Sequence, residues 1–232
     1  MTGEGEASAL DRSLARVLDR LVHDLKNPLA AVAGNLRFLE GEALQGDLVD
    51  AVKEAIEAAE TLHQLLDDAV DLQRARLGQL PRRPRPTDLK QVERGVRRRV
   101  ASRVGSRELL LSLPEREVTT DGDLLQRMLG VLLVHGLRHT GSGGTVALRG
   151  AVQGGELRLE LVDEGLPFAP DRPPSMVAGG FDEREAPAGH RSDRGLGLMF
   201  VGAVVRSLGG TAAVTSPVAD GQGARFVLTI PC

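Results

Sequence analysis

The 232-residue sequence predicts an α+β protein in two parts, an N-terminal antiparallel helical hairpin that pairs into a dimeric four-helix bundle, followed by an α/β sandwich. Three observations carry that expectation. Apolar residues recur at three- and four-residue steps through the first 70 positions, a proline-rich break follows near position 81, and beyond it strand-like alternation is interleaved with helix-like periodicity.

The first stripe runs Leu10, Leu14, Val17, Leu21, Leu25, Leu29, Val32, Leu36, Leu39, which is one face of a long helix. After the break at 41–46 a second stripe runs Leu48, Val52, Ile56, Ala59, Leu62, Leu66, Val70. Two such helices bury only one side of each stripe against one another, so a second hairpin is expected to cover the rest, and a homodimer follows. The segment 81–88, PRRPRPTD, has three prolines and three arginines in eight residues and reads as a semi-rigid linker. The expected division is therefore residues 1–80, a linker 81–88, and a second domain 89–232.

In the second domain the pattern predicts a helix over about 88–104, a strand 108–114, and a helix after Thr120 or Asp121 as N-cap. Two alternating strands, 145–152 and 156–163, are joined by a glycine turn. The Gly/Pro-rich stretch 165–194 has almost no periodicity, and its length marks it as a functional loop. A helix 197–210 and strands 211–216 and 224–231 complete a mixed sheet with helices on one face.

Bulk properties narrow the function classes. The net charge of −3 gives no overall attraction to nucleic acid or anionic lipid, and the arginines between Arg74 and Arg103 read as a solvated face. With no Trp or Tyr and five Phe there is little base-stacking surface. One cysteine, Cys232, forms no internal disulfide, and no Cys/His cluster has zinc spacing, so no metal ligands are assigned. The acidic, polar start and the lack of any run of 18 apolar residues point to a cytoplasmic chain, with signals arriving from other proteins.

The chemistry concentrates first at His23, which lies off the apolar stripe, beside Asp24. A neutral imidazole is a nucleophile near pH 7 once a neighbour takes its proton or fixes its tautomer, and Asp24 stands in that place. Asn27 lies one helical turn on, where an amide can orient a water or an incoming acyl phosphate. Pro28 removes a backbone hydrogen bond just past the histidine.

The heptapeptide His23-Asp24-Leu25-Lys26-Asn27-Pro28-Leu29 resembles the H-box of bacterial two-component histidine kinases, and residues 88–231 resemble the ATP-binding domain of the same family. The resemblance implies that His23 carries a phosphoryl group, that Asp24 and Asn27 assist it, and that a response-regulator receiver domain is the partner. It also implies ATP with magnesium as cofactor, but the nucleotide motifs survive unequally. In the helix 124–140 the family's two asparagines, the second a magnesium ligand, are replaced by Val131 and His135, while Arg138, His139 and Thr140 keep the motif's tail. Magnesium prefers oxygen ligands, so imidazole is a poor substitute. Asp163 and Gly165 stand where the family has its adenine-binding aspartate and first loop glycine, with Pro167 in place of the second glycine. The stretch 193–198 matches the phosphate-cradling glycine box, with Gly195 and Gly197 as its glycines, and Phe181 matches an aromatic remnant. Gly209, Gly210, Gly221, Gly223 and Phe226 fit the family's closing pattern.

Three functions follow. The leading one is a histidine phosphotransferase with a degenerate ATP site, moving phosphate between His23 and receiver aspartates. The second is an ATP-dependent autokinase in which another carboxylate, Glu164 by its place in sequence, makes up for the lost magnesium ligand. The third is a non-catalytic pseudokinase that binds a receiver or a partner kinase through its bundle.

Overall fold

The computed structural model describes residues 22, 25–26, 29–37, 39–40, 47–171, 174–178, 186–191 and 196–232. The chain divides after Gln79 into two compact units. Among the described residues no helix is long and apolar enough to cross a membrane.

The first unit is helical: residues 29–37 form α1, and α2 spans Asp47–Arg76. The Lys26 ammonium pairs with the Asp67 carboxylate, 41 residues away, which sets the segment before α1 beside α2. Ala33, Ile56, Ala59, Val70 and Leu72 are buried within the unit. Other members of the two stripes, Leu25, Val32, Leu39, Leu48 and Leu62, stay exposed, Leu48 by 62%. The hairpin therefore satisfies about half of its apolar pattern by itself.

The second unit is built on a five-stranded sheet in the order β2-β4-β5-β7-β6, where β2 is Glu108–Ser112, β4 Thr145–Gln153, β5 Glu156–Asp163, β6 Thr211–Thr215 and β7 Ala224–Pro231. Only the β2–β4 pair is parallel. The alternation in β5 and β7 places Leu157, Leu159, Leu161, Phe226, Leu228 and Ile230 on one buried face. Three helices make the apolar layer: α3 (Leu89–Val104), α4 (Gly122–His139) and α6 (Leu196–Ser207). Asp121 is the N-cap of α4, its carboxylate accepting from the Leu124 N–H at 3.0 Å, and it also accepts from the Arg83 N–H at 2.7 Å.

Several boundaries differ from the sequence reading. Residues 85–88, expected as linker, form strand β1 (Arg85–Asp88), which pairs antiparallel with β3 (Glu117–Thr120). Proline is tolerated there because a two-stranded edge asks few N–H donors of it. Leu80 is already buried in the second unit. The strand expected over 108–114 ends at Ser112, and α6 ends at Ser207, before Gly209 at φ 77°. Part of the stretch expected as a functional loop without regular structure is helical. Ser175–Ala178 form a short helical turn, α5, whose Met176 is fully buried, and the absence of a side chain at Gly202 lets α6 approach Met176.

Candidate functional site

The site is assembled at the end of β5, where the sheet delivers Asp163 between Val146 of β4 and Ala224 of β7. Asp163 is 1% exposed. Its Oδ1 accepts the Gly165 N–H at 2.9 Å, which closes a tight turn after the strand. Gly165 is required by close approach: a Cβ there would stand 2.7 Å from the His139 carbonyl oxygen. The turn is held from the other side by the Gly223 N–H, which donates to the Gly165 carbonyl at 2.7 Å.

A buried carboxylate needs a partner, and here the partner is Arg191. Its Nη1 donates to Asp163 Oδ2 at 2.9 Å and its Nη2 donates to Oδ1, a two-pronged pair in which both side chains are fully shielded from solvent. Arg191 Nε donates to the Leu166 carbonyl, and the Arg191 backbone N–H donates to the Pro167 carbonyl at 2.8 Å. The guanidinium carbon lies 5.0 Å from the Phe168 ring centre and 6.0 Å from that of Phe226. Arg191 thus binds the whole turn 163–167, and Pro167 contributes the carbonyl that its ring leaves free.

His135 lies on α4 beside the same rings. Its imidazole stacks 6.0 Å from Phe168 at 8° and meets Phe226 edge-on at 5.9 Å, with His139 at 4.7 Å. Part of the residue remains accessible, but Nε2 is sealed and has no hydrogen-bond partner. Burial, reinforced by electrostatic repulsion from His139, Arg191 and Arg138, holds its pKa well below the ordinary histidine value, so the ring is neutral. Arg138 is exposed and reaches the cluster through its charge alone among the interactions described. One turn before His135, a Cβ at Gly197 would stand 3.1 Å from Val131 Cγ1, so the start of α6 closes on α4 through hydrocarbon.

The sequence-assigned residues Asp163, Gly165 and His135 are therefore brought together, with Gly197 against the preceding turn of α4. His23, Asp24, Asn27, Gly195 and Phe181 lie outside the described residues. Glu164, considered as a substitute metal ligand, is instead engaged by the Thr145 backbone N–H, which donates to its Oε2 at 2.9 Å. Among the described residues no cluster of three or more His, Cys, Asp or Glu could hold a metal ion. Arg191 and Phe168 had no sequence signal, since both fall in the aperiodic stretch.

Residues 13–78 match the His Kinase A phospho-acceptor domain, and residues 120–232 match the histidine kinase-, DNA gyrase B- and HSP90-like ATPase family. The sensor histidine kinase Hik2 of Thermosynechococcus vestitus is 26% identical over 97% of this chain and 60% of its own length. CusS of Escherichia coli K12, also a sensor histidine kinase, is 34% identical over 50% of this chain and 23% of its own. The chain thus spans less than two thirds of the length of these relatives. Among solved structures, full-length ShkA in complex with AMPPNP superposes with a TM-score of 0.68 at 25% identity, over 93% of this chain and 45% of that one. Acinetobacter baumannii histidine kinase AdeS superposes at 0.61 with 21% identity, over 90% of this chain and 97% of that one, a likeness of fold. With a phospho-acceptor domain followed by an ATPase-like domain, the chain belongs to the two-component histidine kinases, whose core it carries.

Proposed function

We propose that the chain is a histidine phosphotransferase: His23 takes a phosphoryl group from the aspartyl phosphate of one receiver domain and passes it to the aspartate of another. An imidazole nitrogen of His23 attacks phosphorus, the P–O bond to the donor aspartate breaks, that carboxylate leaves, and Asp24 holds or removes the imidazole proton. Transfer to the second receiver is the same step reversed. Asn27 orients the incoming acyl phosphate. The match of residues 13–78 to the phospho-acceptor domain supports this chemistry.

The observation that carries the choice of donor is His135. At the position where the resemblance expects a magnesium-binding amide, a neutral ring is stacked on Phe168 with its Nε2 sealed, and Val131 offers only hydrocarbon. Magnesium takes hard oxygen ligands, so these residues do not fit it. Phosphoryl transfer from ATP leans on that metal for charge neutralisation, whereas transfer through the helical hairpin needs no nucleotide in this chain. The exposed Leu25, Val32, Leu39, Leu48 and Leu62 support a homodimer that completes a four-helix bundle. A receiver domain, as partner of that bundle, and a cytoplasmic location complete the reading.

A specific observation keeps the autokinase as the second reading. The turn from Asp163 to Gly165 supports it, as does the likeness to ShkA, which was solved in complex with AMPPNP. One assay separates the readings. With phosphorylated receiver as donor, label is expected on His23 and none on His23→Gln. Label on His23 from ATP and magnesium alone would make the chain an autokinase. Receiver binding without label from either source would make it a pseudokinase, with a partner kinase as the other candidate it engages.

A further inference from the structure

We propose that Arg191 is an internal occupant of a purine-base subsite: its guanidinium sits where an adenine ring would sit, and an adenine nucleotide binds this domain only after Arg191 is displaced. The inference rests on the ATPase-like assignment of residues 120–232. It names what now fills that site.

The shape of the place argues for a flat, donor-bearing guest. The Asp163 carboxylate is presented at the strand end, and the Phe168 and Phe226 rings flank the group that it binds. The backbone approaches closely at Gly165, where a side chain would strike His139, and at Gly223, where one would strike the Asp163 carbonyl oxygen at 2.5 Å. A guanidinium is planar, donates parallel N–H groups, and packs on aromatic faces. A 6-aminopurine shares the flat face and an exocyclic N–H donor, so it competes for the same carboxylate. A 6-oxopurine turns a carbonyl oxygen toward that carboxylate and is refused. The place also holds one polar atom that nothing satisfies, the sealed Nε2 of His135, whose ring stacks on the same Phe168.

Arg191 is attached to the turn as an occupant would be. It is bonded to Asp163, Leu166 and Pro167, and to the turn residues by both side chain and backbone. The other buried contacts of the turn, through Gly223 and through Ser216 to the Phe168 N–H at 2.9 Å, do not involve Arg191. Gly165 and Phe168 are therefore held in place by contacts that remain when the guanidinium leaves. Displacement lowers the apparent nucleotide affinity by the fraction of molecules with Arg191 released.

The test is calorimetric titration of the full chain with ADP and with GDP, without magnesium, for wild type, Arg191→Ala and Arg191→Lys. Lysine keeps the cation but cannot make the two-pronged pair, and it serves if the alanine variant does not fold. ADP is expected to bind at least tenfold more tightly to the folded variants than to wild type, with GDP unchanged. The gain should vanish when Asp163→Asn is added. Equal ADP affinity in wild type and folded variants, a gain that survives Asp163→Asn, or an equal gain for GDP would overturn the proposal. ATP labelling of His23 in wild type would sink the phosphotransferase reading without touching this affinity ratio, so the two fail separately.

Discussion

Replacing Arg191 by Met removes the guanidinium while keeping most of its hydrocarbon, and the structure sets the size of the effect. Both members of the Asp163–Arg191 pair are fully shielded, so the substitution strands a carboxylate in a nonpolar site with the Gly165 N–H as its one remaining donor among the described residues. Breaking a buried pair from one side costs about 3–5 kcal/mol. The molecule holds its own control in Arg85–Asp123, also 2.9 Å apart but with side chains 61% and 85% exposed. Such a surface pair contributes about 0–1 kcal/mol, so Arg85→Met should be nearly silent. With a urea slope of about 2 kcal/mol per molar, Arg191→Met should lower the unfolding midpoint of the second unit by about 1.5–2.5 M. Because the chain has no Trp or Tyr, far-ultraviolet circular dichroism is the natural readout, with hydrogen exchange of the β5 amides to locate the transition. If Arg191→Met shifts the midpoint no more than Arg85→Met does, the pair is not a sealed one and the account of the site is wrong.

Two further outcomes follow from the same geometry. His135 has a folded-state pKa well below its ordinary value of 6.5, chiefly through burial, so the unfolded chain takes up a proton that the folded chain refuses. Stability is then full above pH 6.5 and falls on acidification by up to about 1.4 kcal/mol per pH unit until the folded pKa is reached. His135→Leu should flatten that part of the stability profile in urea melts between pH 7 and 5, and an unchanged slope would refute the assignment. Gly165→Ala drives a Cβ to 2.7 Å from the His139 carbonyl oxygen and should cost about 1–3 kcal/mol in the same melts, whereas Gly141→Ala, with nothing within 4 Å, should be close to neutral.

The division of labour between chain and fold is visible residue by residue. The stripes Leu10–Leu39 and Leu48–Val70, the alternation in 145–152 and 156–163, and the acidic cap before α4 are local patterns, because burying one face of a helix or strand demands them wherever the element ends up. Asp163 and Gly165 were singled out by the resemblance to the family's loop, and a plain strand-ending turn would use the same two residues. Where β1 pairs could not be read, since Arg85–Asp88 is prolyl and polar and becomes a strand only because β3 stands beside it. Glu164 was singled out only by its place in the sequence, and that the Thr145 N–H meets its Oε2 is a fact of the sheet register.

What the sequence alone determined is the two-part architecture and the family, with Asp163, Gly165 and His135 among its candidate residues. What only the tertiary structure decided is which of them meet: Arg191, 28 residues from Asp163 and without periodicity around it, is an ordinary loop arginine until burial makes an unpaired carboxylate intolerable. The same burial leaves His135, a candidate ligand in the sequence, as a neutral ring with its Nε2 sealed. Local pattern encodes which face a residue presents, but the cost of desolvating a charge arises only where distant segments exclude water together.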